Sequence, residues 1–397
     1  MAELGNLTDY RWLVSSDAEP WLERAAEAEE TPESLLKTTI SLRGDLGTQR
    51  ANLLIAQVQL RRRARKKFSQ ADRMFFTRQL LEQATEERIG QYKAARFPKQ
   101  GPLLDLCCGI GGDLISLGRR TATQGVDRDE IATTLATANC ERLDLTSASV
   151  QVEDAAEVSA DDFSAWHLDP DRRPEGQRST KLALHEPDLQ SMEGLLSTNQ
   201  QAAIKLAPAT KVPDAWKKEA ELEWISTRGE CRQQVAWFGD LAQAHGQQAA
   251  TVLFDGSANG CTIRGEPNLA LPTASQVGRY VFEPNAAVLA ANLTGQLAME
   301  VGLQAIAANI PYLTNDNPVD NALLAGFEVI ESMPFNIRRL RQYLRKQGIG
   351  RLEVKKRGVR LTPEHVLAEL SPTGDRAATL LLMPIGKRIL AIICQRL

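Results

Sequence analysis

Apolar positions in the first hundred residues recur at helical spacing, as in Pro32-Glu33-Ser34-Leu35-Leu36 and Ala51-Asn52-Leu53-Leu54-Ile55-Ala56. With little β-branched alternation, this pattern predicts a helical region over 1–98. Pro98 and Gly101-Pro102 punctuate the chain and place a boundary near residue 99. Short apolar runs then alternate with helical stretches. Strands are expected at Leu103–Leu106, Gln124–Asp127, Ser149–Val152, Trp166–Asp169, Ala202–Leu206, Val235–Phe238 and Ala250–Phe254. Helices are expected at Asp113–Arg119 and Ile131–Leu143. Such alternation implies an α/β domain over 99–274, its doubly wound parallel sheet covered on both faces. From 275 to 397 the texture becomes that of a small α+β module. Tyr280–Pro284 reads as a strand there, and Asn285–Val301 as one Ala/Leu-rich helix.

Composition narrows the class without naming a chemistry. A chain of 397 residues has room for two or three domains, and 43% hydrophobic with 24% charged residues excludes a mainly disordered chain. No apolar run approaches the roughly 18 residues of a spanning helix. The start, Met1-Ala2-Glu3-Leu4-Gly5, lacks the basic and apolar regions of a secretory signal. Six cysteines without a CxxC pair, and only four histidines, argue against a disulfide scaffold or a zinc cluster. The expectation is a cytoplasmic protein without membrane or metal partners. The net charge of −3 averages over local blocks. The first 34 residues hold nine acids against two arginines, and Arg61 to Lys67 is strongly basic and followed by Phe68, Phe75 and Phe76. From Arg338 to Arg360 there are ten Arg or Lys and a single acid, Glu353.

The chemistry concentrates in Asp105-Leu106-Cys107-Cys108-Gly109-Ile110-Gly111-Gly112-Asp113, between an expected strand and helix. Small residues let the backbone turn tightly and approach a ligand, and the helix start offers free N–H groups. Alone, such a loop is equally a packing turn. Its company sharpens it. Asp127 ends the next strand, 22 residues after Asp105, where an open α/β sheet places the carboxylate that accepts ribose hydroxyls. Asp154 follows the third strand, where a carboxylate can accept from an adenine amine, although Glu153 beside it could take that part. Asp169-Pro170 ends the fourth. All four features fall at the carboxyl ends of successive strands, where ligands of such sheets bind.

These motifs resemble those of class I S-adenosylmethionine-dependent methyltransferases, whose fold is Rossmann-like. The Cys-Gly-x-Gly-Gly core, with Glu82–Glu86, Tyr92-Lys93-Ala94 and Arg96-Phe97 before it, is similar to enzymes that methylate the exocyclic amine of guanine in RNA. Tyr280–Ala286 and Asp169-Pro170-Asp171-Arg172-Arg173 resemble a bacterial family with a THUMP-like C-terminal module, a fold associated with RNA. The resemblance spans roughly residues 80–397. It implies S-adenosyl-L-methionine as cofactor, held by Asp105, Cys107, Gly109, Gly111, Gly112, Asp127 and Asp154. Asp169 and the Pro170 carbonyl would orient an amine for methyl transfer, and RNA would be the partner. Cys107 stands where many such enzymes have glycine. Asp171-Arg172-Arg173 replaces the usual Pro and stacking aromatic, and guanidinium planes can stack on bases or clamp phosphate. Arg172, Arg173, Arg338, Arg339 and Arg341 are therefore the substrate-binding candidates.

Plainer readings stand beside these. His167 reads as a satisfied core histidine, and Cys107 and Cys108 as small packing residues. Lys205, inside an apolar run, either reaches the sheet end or snorkels. Arg61 to Lys67 is as easily a solvated helix face as a nucleic-acid contact. A methyltransferase of a small molecule or protein would share every cofactor residue. A non-catalytic RNA-binding protein could retain the fold. A dinucleotide oxidoreductase would leave Asp169-Pro170 without a role.

Overall fold

The computed structural model describes residues 5–28, 31–171, 180–255 and 260–397. The chain folds as two compact units, one reaching to Leu222 together with Gln233–Gly246, the other holding Glu223–Arg232, Gln247–Phe254 and the chain from Gly260 on. Among the described residues no helix is long and apolar enough to cross a membrane.

The first unit begins with helices α1 (Leu7–Val14), α2 (Glu19–Ala26), α3 (Pro32–Ala64), α4 (Arg78–Gln83) and α5 (Glu87–Ala94). Gly47, at φ 78°, interrupts α3 with a turn of backbone that side chains rarely adopt. Strands β1 (Leu103–Leu106), β2 (Thr123–Asp127), β3 (Ala148–Val152), β4 (Ala165–Leu168) and β5 (Ala202–Leu206) follow, with α6 (Leu114–Gly118) after β1, α7 (Glu130–Arg142) after β2 and α8 (Leu189–Thr198) before β5. Helix α9 (Asp214–Glu219) precedes β6 (Glu221–Thr227), which passes into the second unit at Glu223, and β7 (Glu230–Trp237), which returns to the first at Gln233. The strand order β3-β2-β1-β4-β5-β7 puts β1 and β4 side by side, and the sheet is parallel up to β5. The parallel expectation fails at β7, which runs antiparallel to β5. The reason is local: Arg228 and Gly229, both at positive φ, form a two-residue turn between β6 and β7 that reverses the chain without a crossover helix.

The N-terminal helices share one buried cluster with α6, α7 and the loop after β1. Leu13, Leu42, Leu54, Phe75 and Phe76 belong to it with Ile110, Leu114 and Leu135. Part of the basic block of Arg61 to Lys67 also turns inward, while Arg63, Arg65 and Lys66 are exposed. Arg61 donates to the Met74 carbonyl at 2.9 Å, and Lys67 donates to the carbonyls of Leu81, Glu82 and Ala84 at 2.8, 3.1 and 2.8 Å, closing the C-terminal end of α4. Arg65 pairs with Asp72 at 3.0 Å, and Phe68, Phe75 and Phe76 are buried. These residues are neither a uniformly solvated face nor a free basic patch.

The second unit holds the antiparallel pair β8 (Gln248–Leu253) and β9 (Cys261–Gly265), and a seven-stranded sheet. Its elements are β10 (Tyr280–Pro284), α10 (Ala286–Ala290), α11 (Thr294–Val301), β11 (Gln304–Ala305), β12 (Leu313–Asn315), β13 (Leu324–Pro334), α12 (Ile337–Gln347), β14 (Ile349–Lys356), α13 (Pro363–Leu370), β15 (Arg376–Ile385) and β16 (Arg388–Arg396). The single helix expected over Asn285–Val301 is two, because Asn292 takes the left-handed conformation (φ 53°) between them. The order is β11-β12-β10-β13-β16-β15-β14.

Asn139, fully buried on α7, ties the N-terminal helices to the loop after β1. Its Oδ1 accepts from the Phe75 amide at 2.7 Å, and its Nδ2 donates to the carbonyls of Phe75 (3.1 Å) and Ile110 (3.0 Å). Asn139→Ala is predicted to cost about 2–4 kcal/mol, since it strands several buried backbone groups at once. Urea denaturation measures this, and a loss below about 0.5 kcal/mol would show the bonds to be dispensable.

Candidate active site

The carboxyl ends of β1, β2 and β4 open on a cleft of about 1020 Å³ in the first unit. Asp105, Cys107, Gly109, Gly112, Asp127, Asp154, Asp169 and Pro170 all line it. The geometry thus brings together both sequence-derived catalytic candidates and six of the cofactor candidates. Gly111, at φ 89°, lies in the same loop but does not line the cleft.

The loop after β1 explains its composition. Cys107 (φ 57°), Gly109 (φ 55°) and Gly111 (φ 89°) alternate through the left-handed region. Glycine does this freely, whereas Cys107 bears a strain of roughly 1–2 kcal/mol. A Cβ on Gly109 would meet nothing within 4 Å, so the backbone there faces open cleft. Gly112 has the opposite reason: a Cβ would lie 3.0 Å from the Thr85 amide nitrogen and 3.1 Å from its carbonyl oxygen. Burial pushes the Cys107 and Cys108 thiols well above their ordinary value, so neither is a thiolate nucleophile at neutral pH.

Asp127 holds this loop from β2. Its Oδ2 accepts from the Gly109 amide at 2.9 Å and its Oδ1 from the Asp129 amide at 3.0 Å. Burial raises its carboxyl pKa, against the pull of those two amides. Asp154 lies exposed at the cleft edge and accepts from the Ala156 amide at 2.9 Å. It is Asp154 rather than Glu153 that lines the cleft.

Beneath the cleft lies a charged network. Asp105 Oδ1 meets His167 Nδ1 at 2.7 Å, His167 Nε2 meets Lys93 Nζ at 2.9 Å, and Lys93 Nζ meets Asp113 Oδ1 at 2.7 Å. The Thr85 hydroxyl donates to Asp113 Oδ2 at 2.6 Å. Asp105, His167 and Lys93 are each only 1% exposed. Burial raises Asp105 despite the His167 hydrogen bond. Burial would raise Asp113 as well, but the Lys93 ammonium beside it brings it well below the usual carboxylate range.

Asp169 is held from the other side. Lys205 Nζ lies 2.5 Å from its Oδ2 and donates to the Gln83 carbonyl at 3.3 Å. Asp171 exchanges backbone hydrogen bonds with Glu186, and Gln83 Nε2 donates to its Oδ1 at 3.4 Å. Residues of α4 and the segment after it (Gln79, Gln83, Thr85) and of 181–188 (Lys181, His185) form the facing walls. Sequence reasoning missed these walls and the parts of Lys93 and Thr85. The available signals were a lysine four residues after Ile89 on a helix and Lys205 in an otherwise apolar run.

Arg172 and Arg173 lie outside the described residues. Arg338, Arg339 and Arg341 belong to α12 in the second unit. Leu340 and Leu344 bury one face of that helix, leaving Arg338, Arg339, Arg345 and Lys346 exposed. Arg341 instead donates to the Glu369 carbonyl near the end of α13. Lys355 and Arg357, in the same basic block, grip the buried Glu283 at 2.6 and 2.9 Å.

Residues 324–396 match the THUMP domain-like family. The chain is 28% identical over 366 residues to an uncharacterized S-adenosylmethionine-dependent methyltransferase of Mycobacterium tuberculosis strain CDC 1551, and to one of the same description in strain H37Rv. That alignment covers 87% of this chain and 97% of each relative. A crystal structure from Porphyromonas gingivalis W83, of a protein assigned as a methyltransferase, matches with a TM-score of 0.77 at 20% identity over 98% of both chains. This last likeness shows the fold.

Asp127→Ala is predicted to weaken S-adenosylhomocysteine binding about 100-fold by calorimetry, the loss of two hydrogen bonds to a charged acceptor. Its raised pKa adds a sign. If Asp127 accepts from the ribose hydroxyls, its ionised form is the competent one, and wild-type affinity is expected to fall as pH drops through a value above that of an exposed aspartate. In Asp127→Asn that limb should flatten; an unchanged limb would assign it to another group.

Proposed function

We propose that this chain, an S-adenosylmethionine-dependent methyltransferase, acts on a base amine of structured RNA. The observation that carries the reading is Asp169-Pro170 at the end of β4, opening on the same cleft as the cofactor loop and held there by Lys205. The residues fit the cofactor. The Gly109 backbone faces open space, Asp127 lines the same cleft from the end of β2, and Asp105 Oδ2 is buried without a hydrogen-bond partner. The THUMP domain-like match and the exposed cations of α12 support an RNA partner, since phosphate contacts supply most sequence-independent affinity.

The bound cofactor supplies a methyl group on a sulfonium, already a good leaving group. What remains for the protein is position, exclusion of water and one proton. The walls from α4 and 181–188 enclose the reacting centre. Asp169 and the Pro170 carbonyl accept the two amine hydrogens, turning the nitrogen lone pair toward the methyl carbon. As the N–C bond forms and the C–S bond breaks, the nitrogen becomes acidic, and Asp169 takes its proton and passes it to solvent. Lys205, 2.5 Å from its Oδ2, holds the Asp169 carboxylate in place. A fixed ammonium beside the acceptor atom disfavours a cationic lysine substrate and suits a neutral base amine.

Incubation with tritiated S-adenosylmethionine and unmodified bacterial RNA, followed by nucleoside analysis, tests the reading. Label is expected in an N-methylated base. Asp169→Ala should reduce transfer at least 100-fold while leaving S-adenosylhomocysteine affinity within about twofold. Label in protein or small molecules with none in RNA would overturn the acceptor assignment. Equal loss of binding and turnover would move Asp169 into the cofactor site.

A further inference from the structure

The methyl-transfer chemistry makes no direct use of Lys93 or His167, yet both are buried to 1% exposure directly behind the cofactor loop. Keeping an ammonium and an imidazole out of water is costly, so their arrangement calls for a reason. They come from separate elements, Lys93 from α5 and His167 from β4, and meet over Asp105 of β1 and Asp113.

The hydrogen bonds determine the protons. Burial lowers the Lys93 pKa and Asp113, 2.7 Å away, opposes that; as the cation of this ion pair Nζ has donors only. The 2.9 Å contact to His167 Nε2 therefore requires a lone pair on Nε2. The imidazole proton then sits on Nδ1, which donates to Asp105 Oδ1 at 2.7 Å. One oxygen of Asp105 is thereby fixed by a neutral donor. The other, Oδ2, is buried with no partner in a residue that lines the cleft.

We propose that Lys93 and His167 are positioning residues that act through Asp105: Lys93 locks the His167 tautomer, and His167 turns the unpaired Asp105 oxygen toward the α-ammonium of the cofactor's amino-acid arm. The inference rests on the cofactor reading above and is independent of the methyl acceptor. Because the locked imidazole is neutral, it orients Asp105 without neutralising it. The carboxylate thus keeps its charge for a cationic ligand group. Burial of that unsatisfied charge, which raises Asp105, is relieved when an ammonium arrives.

The test compares two ligands by calorimetry on the full chain. S-adenosylhomocysteine carries the amino-acid arm, and 5′-methylthioadenosine has the same adenosine and thioether without it. His167→Phe removes the Nδ1 donor and should weaken S-adenosylhomocysteine at least tenfold, with methylthioadenosine changed less than twofold. His167→Asn places an amide donor near the Nδ1 position and should restore most of the loss. A second variant covers a folding failure of His167→Phe. Lys93→Met with Asp113→Asn removes the ion pair as a unit, leaving neither of its charges unpaired, and should reproduce the selective loss. If both ligands weaken together, or neither weakens, the residues are only structural and the proposal falls. Wild-type protein that binds neither ligand would instead overturn the cofactor reading, and the inference with it.

Discussion

The buried ion pair between Lys93 and Asp113 holds the first unit in register. It joins a helix of the N-terminal region to the turn that opens α6, and both charges sit where water cannot screen them. Breaking one partner of such a pair leaves an uncompensated charge, a penalty of roughly 3–5 kcal/mol. The pair is also fully engaged: Thr85 satisfies the second Asp113 oxygen, and Lys93 extends the chain to His167 and Asp105. The helical region and the cofactor loop are therefore one cooperative structure. This is why Gly112 has no room for a side chain against Thr85, and why Gly90, whose Cβ would lie 2.7 Å from Ser116 Oγ, must also be small.

The same economy governs the acceptor side. Gln83, the last residue of α4 in the turn that Lys67 closes, receives Lys205 on its carbonyl and reaches Asp171 with its amide. Asp169 is thus oriented by a lysine that is itself anchored on the N-terminal region. Strain at Cys107, in the conformation glycine prefers, is tolerated because the flanking strand, the Asp127 anchor and the core around Ile110 over-determine the loop.

Charge density along a chain is a poor guide to where charge acts. The two basic blocks look alike in sequence, yet Arg61, Arg65 and Lys67 spend their donors on internal carbonyls and Asp72. The C-terminal block divides. Lys355 and Arg357 neutralise the buried Glu283, Arg341 ties α12 to α13, and Arg338, Arg339, Arg345 and Lys346 stay exposed. Those four share the exposed face of one helix, with the accessibility that phosphate contacts require.

Local pattern was enough for the strand–helix alternation from Leu103 to Leu206 and for the loop that opens the cleft. Buried parallel strands read as apolar runs, and carboxylates at their ends occupy a predictable layer. The two-helix break escaped because Asn292 at positive φ overrode a continuous apolar pattern, and the antiparallel β7 because a two-residue turn at Arg228-Gly229 replaced a crossover helix. Lys93, Thr85, Gln83 and Lys205 were illegible as a group. They lie as far as 122 residues apart in pairs that touch, and what places them together is the docking of α4 and α5 on the sheet end. His167 was correctly read as a satisfied buried histidine, but the identity of its partners, and so its tautomer, is a tertiary fact. The sequence by itself determined the elements and the acids at their ends, because those depend on neighbours one turn or two residues away. The pairing of buried charges was decided only by the tertiary structure, because a charge removed from water must find its partner wherever the fold brings one.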